Sequence, residues 1–547
     1  MFKAALENSG SVFTLSKSID FCADPIALLQ QLSSDKSTNR MLLESSEIDS
    51  KSQLKSILMN KAALRIECTR QQVTITALTA NGKNALIFLA EQFEASTTKS
   101  EKNQLQLTVC YPSPSAHLVD NKKPESFDEE SRLKRLTPID CLRKINQTFN
   151  SKSNQPFAVF LCGLFSFDFI ASFEDLPDAP FGDNGCPDYV FYLAEELVIF
   201  NHQTQQTNIM MNVFSGEDSE KNYYDQSRRI EVISSALTQS QSSENSDLIS
   251  ANQLNDKNIG CDISDKEYEQ IVVEVKKEIV SGNIFQVVPS RTFSLECKNT
   301  LSSYQHLKET NPSPYMFYMQ DQDFVLFGAS PESALKFQKS TNKVELYPIA
   351  GTRTRGKFKD GQIDHDLDKR LEAELKLDTK EISEHMMLVD LARNDIARIS
   401  DVGSLQIPRL LEVDRYSQVM HLVSCVQGSL KSELDCFHAY QACMNMGTLT
   451  GAPKIKATEI IRKTEKKRRG SYGGAVGYIN THGDMDTCIV IRSAYCKNGT
   501  AHIQAGAGIV FNSQPKAEAD ETRSKANAVI HAILLSEQGR PNRELQA

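Results

Sequence analysis

The sequence predicts an α+β fold built on a mostly antiparallel sheet, and three observations carry that prediction. Apolar runs of strand length recur along the chain, such as FAVFLCGLF (157–165) and YVFYLAEELVIF (189–200). Segments with helical periodicity and recognisable caps stand between them. The two kinds of element are interleaved without regular strand–helix–strand spacing, and no period of roughly 20–50 residues repeats, so a solenoid is excluded.

The elements follow in order. KAALRIECTRQQVTITAL (61–78) shows β-branched alternation, and NALIFLAEQF (84–93) follows a turn expected at Asn81-Gly82. Residues 111–136 are polar and rich in proline and charge, a surface excursion. FAVFLCGLFSFDFI (157–170) reads as a buried strand and its continuation, and 189–200 as another strand. TQSQSSENSD (238–247) has no aliphatic or aromatic residue to bury, so a linker or insertion is placed across 215–260. The chain is thereby divided into an N-terminal region (1–214), that linker, and a second region (261–547). SDKEYEQIVVEVKKEIVSGN (264–283) predicts a helix that opens on Ser264 with Glu267 three residues later and stops at Ser-Gly. Glycine clusters at 351–356, 447–451, 470–477 and 505–508 mark tight turns or close backbone approaches. Residues 376–399 predict a helix with an apolar face of Ile382, Met386, Val389 and Ile396, and 517–535 a second long helix.

Composition sets further bounds. The 547 residues correspond to about two to four domains. With 61 Lys and Arg against 70 Asp and Glu, the net charge of −9 argues against nucleic-acid binding, which needs clustered cations. The one basic run, KTEKKRR (463–469), reads as a solvated helix end. The longest apolar run has nine residues, about half of a bilayer span, and the start lacks an apolar core of signal-peptide length, so no membrane partner is expected. Thirteen scattered cysteines without a CxxC pair predict reduced thiols in the cytoplasm, with neither a disulfide framework nor a zinc site.

Carboxylate spacing offers the first chemistry. Glu381 and Glu384 share one helix face, as do Glu518 and Glu521. Two such pairs meeting could hold a hard divalent cation, because Mg²⁺ takes oxygen ligands; solvated helix faces explain the same spacing. The glycine segments match neither GxxxxGK[ST] nor a GxGxxG opening a helix, and their N–H groups suit a small carboxylate rather than a nucleotide phosphate. Arg492, placed in the alternating strand CIVIRSAYC (488–496), would need an anionic partner if it faces inward. His421, among apolar neighbours in YSQVMHLVS (416–424), suits either a core position or proton transfer.

Taken together, NPSPYMFYM (311–319), GASPES (328–333), PIAGTRTRG (348–356), EISEHMMLVDLARND (381–395), GTLTGAPK (447–454), YGGAVGYI (472–479) and AGAGIVFNSQPKAEADET (505–522) closely resemble the chorismate-utilising enzyme family. The resemblance is dense over 264–532; the N-terminal region matches mainly through LLES (42–45). It implies two packed sheet layers flanked by helices, with a cleft in the C-terminal region. It implies Mg²⁺ held directly by Glu384 and Glu521 and, mostly through water, by Glu381 and Glu518. Gly351, Thr352, Tyr472, Arg492, Gly506, Ala507 and Gly508 would line chorismate, and the catalytic group would comprise Glu332, His421, Gln286 and Thr448. Glu332 would be the general acid that lets the C4 hydroxyl leave, which requires a raised pKa. His421 would assist pyruvate elimination.

Two positions select the ammonia-using, anthranilate-forming branch. Water-adding relatives carry a base lysine where this chain has Gln286, and aminodeoxychorismate-forming relatives carry PIKGT, whose lysine position is Ala350 here. An aminodeoxychorismate-forming enzyme and a non-catalytic tryptophan sensor are the alternatives. The nearest approach to an amidotransferase nucleophile, Cys162 in LCGLF, lacks the Gly-x-Cys-x-Gly frame. Ammonia would therefore come from a separate glutamine amidotransferase subunit, in a heterotetramer. The LLES resemblance implies feedback inhibition by L-tryptophan bound at Ser45, Pro314, Tyr315 and Met316, with Glu44 near its ammonium group.

Overall fold

The computed structural model describes residues 9–21, 24–33, 38–45, 55–94, 100–102, 105–114, 129–151, 155–239, 259–358, 361–416 and 419–538. The first eight residues, 115–128 of the expected excursion, and the polar run beyond 239 lie outside the described residues. No helix among the described residues is long and apolar enough to cross a membrane.

One long antiparallel ladder, Lys55–Thr69 against Tyr189–Asn201, anchors the architecture. An arm of antiparallel strands leaves each side of it. The first runs through Arg40–Glu44, Tyr315–Gln320, Val325–Ser330, Ser493–Lys497, Thr500–Gly506 and Ser290–Glu296. The second runs through Leu161–Phe165, Ala475–Ile479, Met485–Ile489, Ser333–Gln338, Lys343–Leu346 and Val419–Ser429. The strands Ile349–Thr354 and Gln406–Arg415 both pair with Val419–Ser429.

These strands read as continuous apolar runs because both of their faces are buried. Cys162 and Leu164 point into a core between the arms, with Phe317, Met319, Leu326, Val476 and Tyr495. Leu161 and Phe165 point the other way, beneath the helices Ile139–Thr148 and Thr379–Ile399. On the first arm, Met316 and Tyr318 turn outward beneath Thr300–Thr310 and Pro515–Gln538. Each fully buried side chain of this size contributes roughly 1.5–3 kcal/mol. The fold is the expected α+β arrangement of two packed, mostly antiparallel layers flanked by helices. Both arms draw strands from 1–214 and from 261–547, so that division separates chain segments and not sheets.

Several local expectations change. The first half of the supposed 215–260 linker is the helix Ser219–Gln239, whose Ile230, Ile233 and Leu237 pack with Ile209 and Met211. Its polar exterior hides a narrow apolar stripe at helical spacing. Asn81-Gly82 is no turn; it lies in the first turn of the helix Ala80–Glu94, where the Thr79 hydroxyl accepts from the Gly82 N–H at 2.8 Å. The helix Asp265–Val280 forms with the predicted capping box between Ser264 and Glu267. The helix Thr379–Ile399 starts later than expected, capped by Asp378, and Met386 faces solvent. Its buried stripe is His385, Leu388, Val389, Ala392, Ile396 and Ile399.

The basic run 463–469 is not a solvated helix end. The helix Lys454–Glu465 stops there, with Lys466 left-handed, but Arg468 and Arg469 turn inward. Arg468 pairs with Asp188, Arg462 with Asp168 at 3.1 Å, and Arg469 with Glu465. Buried acids contributed partly by distant segments bind these guanidiniums, because a charge leaves water only when paired.

Candidate active site

The first two turns of the helix Thr379–Ile399 carry Glu381 and Glu384, held in place by Asp378 Oδ1, which accepts from the Lys380 and Glu381 N–H groups at 3.0 and 3.2 Å. The first turns of Pro515–Gln538 carry Glu518 and Glu521. The two pairs lie within electrostatic reach of one another. Burial, opposed by Lys380 and reinforced by Glu381, Glu518 and Glu521, pushes the Glu384 carboxyl up to about 7. Burial also raises Glu518, against a hydrogen bond from Ser513 and with Glu521 adding to the rise. Among the described residues, no three His, Cys, Asp or Glu side chains form a closed ligand cluster. The acids are held by their own partners: Glu381 by Arg353 at 3.3 Å, Glu521 by Lys525 at 2.7 Å, and Glu384 by Lys380 at 3.7 Å. Glu384 Oε1 is buried without a hydrogen bond among the described residues. An all-oxygen donor set that contains a buried, unsatisfied carboxylate oxygen fits a hard divalent cation.

Two of the substrate-lining positions, Gly351 and Gly506, lie next to these acids or their partners. Gly351 has φ +79°, and a Cβ there would stand 3.3 Å from Glu381 Oε2, so glycine lets the backbone approach the carboxylates. Next to it, the Thr352 hydroxyl meets His421 Nδ1 at 2.9 Å. A Cβ on Gly506 would crowd Tyr472 Oη at 3.2 Å, and one on Gly508 would crowd Gln286 Nε2 at 2.9 Å. The Ala507 N–H donates to the Tyr268 hydroxyl at 3.2 Å. Burial pushes the Tyr472 phenol up to about 12, so it is protonated.

Glu332 follows the strand Val325–Ser330 and is buried. Burial pushes its carboxyl up to about 8, against the opposing influence of the adjacent Thr448 hydroxyl, Lys525 and Arg492. It is therefore protonated at neutral pH. His421, also buried, is lowered to about 3 by burial and by the Arg492 charge, so its imidazole is neutral. Its Nε2 has no hydrogen-bond partner among the described residues, and neither has Gln286 Oε1. A neutral acid, Glu332, and a neutral base, His421, thus both lie within electrostatic reach of Arg492, which is the separation that acid–base chemistry at pH 7 needs.

These contacts join Gly351 with Glu381, Thr352 with His421 and Gly508 with Gln286. Arg492 differs in setting: it lies in the break between Met485–Ile489 and Ser493–Lys497, with φ +48°, and not within one strand. Burial lowers its guanidinium and Glu332 supports it. Sequence reasoning missed Lys525, which donates to the Gly506 carbonyl at 3.1 Å and pairs with Glu521. Its i+4 spacing from Glu521 is a readable signal. It also missed Tyr268, and Tyr416, whose ring lies 5.4 Å from His421.

The supposed effector residues also come together. The ladder between Arg40–Glu44 and Tyr315–Gln320 sets Met316 opposite Glu44, so Ser45 and Tyr315 each directly adjoin that pair in the chain. Glu44, however, already accepts from the Tyr304 hydroxyl at 2.7 Å and from Lys308 at 2.6 Å, so its charge is not free for a ligand ammonium.

Residues 92–531 match the family described as chorismate binding enzyme. The chain is 51% identical over 536 residues to anthranilate synthase component 1 of Vibrio cholerae serotype O1, covering 98% of this chain and 99% of that protein. It is 48% identical over 513 residues to the Escherichia coli K12 protein of the same name, covering 94% and 95%. The crystal structure of anthranilate synthase component I from Streptococcus pneumoniae superposes with a TM-score of 0.66 at 28% identity, covering 93% of this chain and 98% of that one. The menaquinone-specific isochorismate synthase of Escherichia coli, at 16% identity and TM-score 0.60 over 97% and 99%, shares the fold.

Proposed function

This chain belongs to the chorismate-binding enzyme family, and from that premise we propose that it aminates chorismate with ammonia and eliminates pyruvate to give anthranilate. Its group is that of the anthranilate synthase components 1, lyases of tryptophan biosynthesis. The observation that carries the reaction is a protonated Glu332 and a neutral His421, both within electrostatic reach of the Arg492 guanidinium.

Hydroxide is a poor leaving group, so Glu332 gives its proton to the C4 oxygen, which departs as water while ammonia adds at C2. The Gln286 amide beside Gly508 cannot act as a base, which suits a nucleophile that arrives already neutral. In the second step the C2 hydrogen leaves as a proton, the enolpyruvyl C–O bond breaks, pyruvate departs and the ring becomes aromatic. His421 Nε2 carries a free lone pair for that proton, while Thr352 and the Gly351 carbonyl at 3.4 Å orient the ring through Nδ1. Arg492 and Tyr472 bind the enolpyruvyl carboxylate, while the Ala507 N–H stays on the Tyr268 hydroxyl and helps to fix the 506–508 backbone. Mg²⁺ at Glu384 and Glu521, with Glu381 and Glu518 acting through water, would supply positive charge to the ring carboxylate.

A glutamine amidotransferase, an anthranilate synthase component II, supplies the ammonia in a cytoplasmic heterotetramer. The pure chain is expected to turn chorismate and ammonium with Mg²⁺ into a fluorescent aromatic amine, and to do nothing with glutamine. A different product, or glutamine-dependent turnover by the chain alone, would overturn this reading. L-tryptophan acts at Ser45, Pro314, Tyr315 and Met316, residues distinct from the catalytic ones, so its inhibition is a coupling between two sites. Ser45→Phe should keep near-normal turnover yet lose tryptophan inhibition by at least about tenfold in the half-inhibitory concentration, within the usual range of such couplings. An unshifted inhibition curve removes Ser45 from the site.

A further inference from the structure

The basic run 463–469 has no place in the reaction described above, yet its last arginine touches the segments that follow Gln286 and Thr448 and lies against Tyr472. The geometry points to Arg469 as a positioning residue for the reaction, a guanidinium clamp that fixes the Gln286 strand, the Thr448 loop and Tyr472 relative to one another. The inference rests on the functional reading above.

Arg469 is 1% exposed. Its Nη1 donates to the Leu449 carbonyl at 2.8 Å, one residue beyond Thr448. Its Nη2 donates to the Val288 carbonyl at 2.6 Å, two residues beyond Gln286. Its Nε meets Glu465 at 3.0 Å. Glu465 Oε1 in turn accepts from the Ser290 N–H at 2.8 Å and the Ser290 hydroxyl at 2.7 Å. Ser290 is the ladder partner of Gly506. The guanidinium also lies 5.5 Å from the Tyr472 ring centre and 4.5 Å from that of Phe167. A planar fork with five fixed donors can meet two carbonyls and a carboxylate at once. A lysine ammonium cannot, and would leave at least one buried carbonyl unpaired.

The neighbouring arginine supplies a matched control. Arg468 is also buried, pairs with Asp188 and lies 4.5 Å from the Phe181 ring, but it touches none of the pocket segments. Both arginines should matter for stability, and only Arg469 for the reaction.

The experiment compares Arg469→Lys with Arg468→Lys in the full chain. The readouts are melting temperature, chorismate binding by equilibrium dialysis, and kcat and KM with ammonium across pH. Arg469→Lys should lose at least about tenfold in kcat, since small misplacements near the chemistry cost up to 10²-fold. It should also bind chorismate severalfold more weakly. Its alkaline activity limit should move upward, because a displaced Thr448 no longer favours ionised Glu332. Arg468→Lys should melt earlier while keeping kcat, KM and pH limit. If both variants lose kcat, binding and pH limit equally at matched melting temperature, the clamp is refuted. If Arg469→Lys does not fold, Glu465→Gln, which loosens the same fork, takes the same readouts under the same criterion. A wild-type chain that neither binds nor converts chorismate removes the functional reading and the clamp with it. A normal wild type with an indifferent Arg469→Lys removes the clamp alone.

Discussion

Glu332→Gln should lower kcat with ammonium by about 10²–10⁴-fold, the usual contribution of a positioned general acid, while the chorismate KM changes little. The amide keeps the shape of the side chain and has no proton to give. Loss confined to kcat marks an interaction made in the transition state. In the wild type the active form is protonated Glu332, so kcat should fall as pH rises through about 8. The same shift governs stability. The folded-state pKa lies above the ordinary carboxylate value, so the contribution is complete below that ordinary value and is lost as pH rises through about 8. Glu332→Gln should therefore melt higher than the wild type at about pH 9, above that titration, and show less alkaline loss. A variant that retains more than a tenth of wild-type kcat would leave Glu332 without its role.

Removing divalent cations with a chelator should abolish at least about 99% of turnover, since a Lewis-acid contribution of several kcal/mol corresponds to two or more factors of ten. Added Mg²⁺ should restore it. In Glu384→Gln the same addition should restore little. A second readout needs no turnover: a cation bound to the folded state raises the melting temperature by mass action. Mg²⁺ should stabilise the wild type and not Glu384→Gln. Glu384 is the informative choice because its Oε1 is the buried carboxylate oxygen without a hydrogen bond among the described residues. Full activity in chelator would remove the cation from the reaction.

What the sequence revealed, and what it concealed, follows the range of the forces involved. The Ser264–Glu267 capping box is local, four residues in one turn, and it forms as written. The i, i+3 acid pairs are equally local, which is why spacing alone singles out Glu381 with Glu384 and Glu518 with Glu521. That the two pairs face one another depends on packing between distant helices, and the family resemblance supplied it. Arg468 looks like surface charge because its partners Asp168 and Asp188 lie about 300 residues earlier. Arg492 reads as mid-strand because CIVIRSAYC alternates, while the chain breaks there into a left-handed residue that no alternation announces. The helix Ser219–Gln239 was concealed by its composition: four buried apolar positions, Ile230, Ile233, Ala236 and Leu237, suffice against a sheet that is already apolar.

The interleaved arms bear on how the polypeptide matures on the ribosome. Leu161–Phe165 finds one of its two lateral neighbours only in Ala475–Ile479, about 310 residues later. At about 5–20 residues per second, that is a wait of roughly 15–60 s during which an apolar strand edge has emerged without its mate. Nascent chains stalled before residue 475 should therefore recruit holdase chaperones, and full-length synthesis should release them.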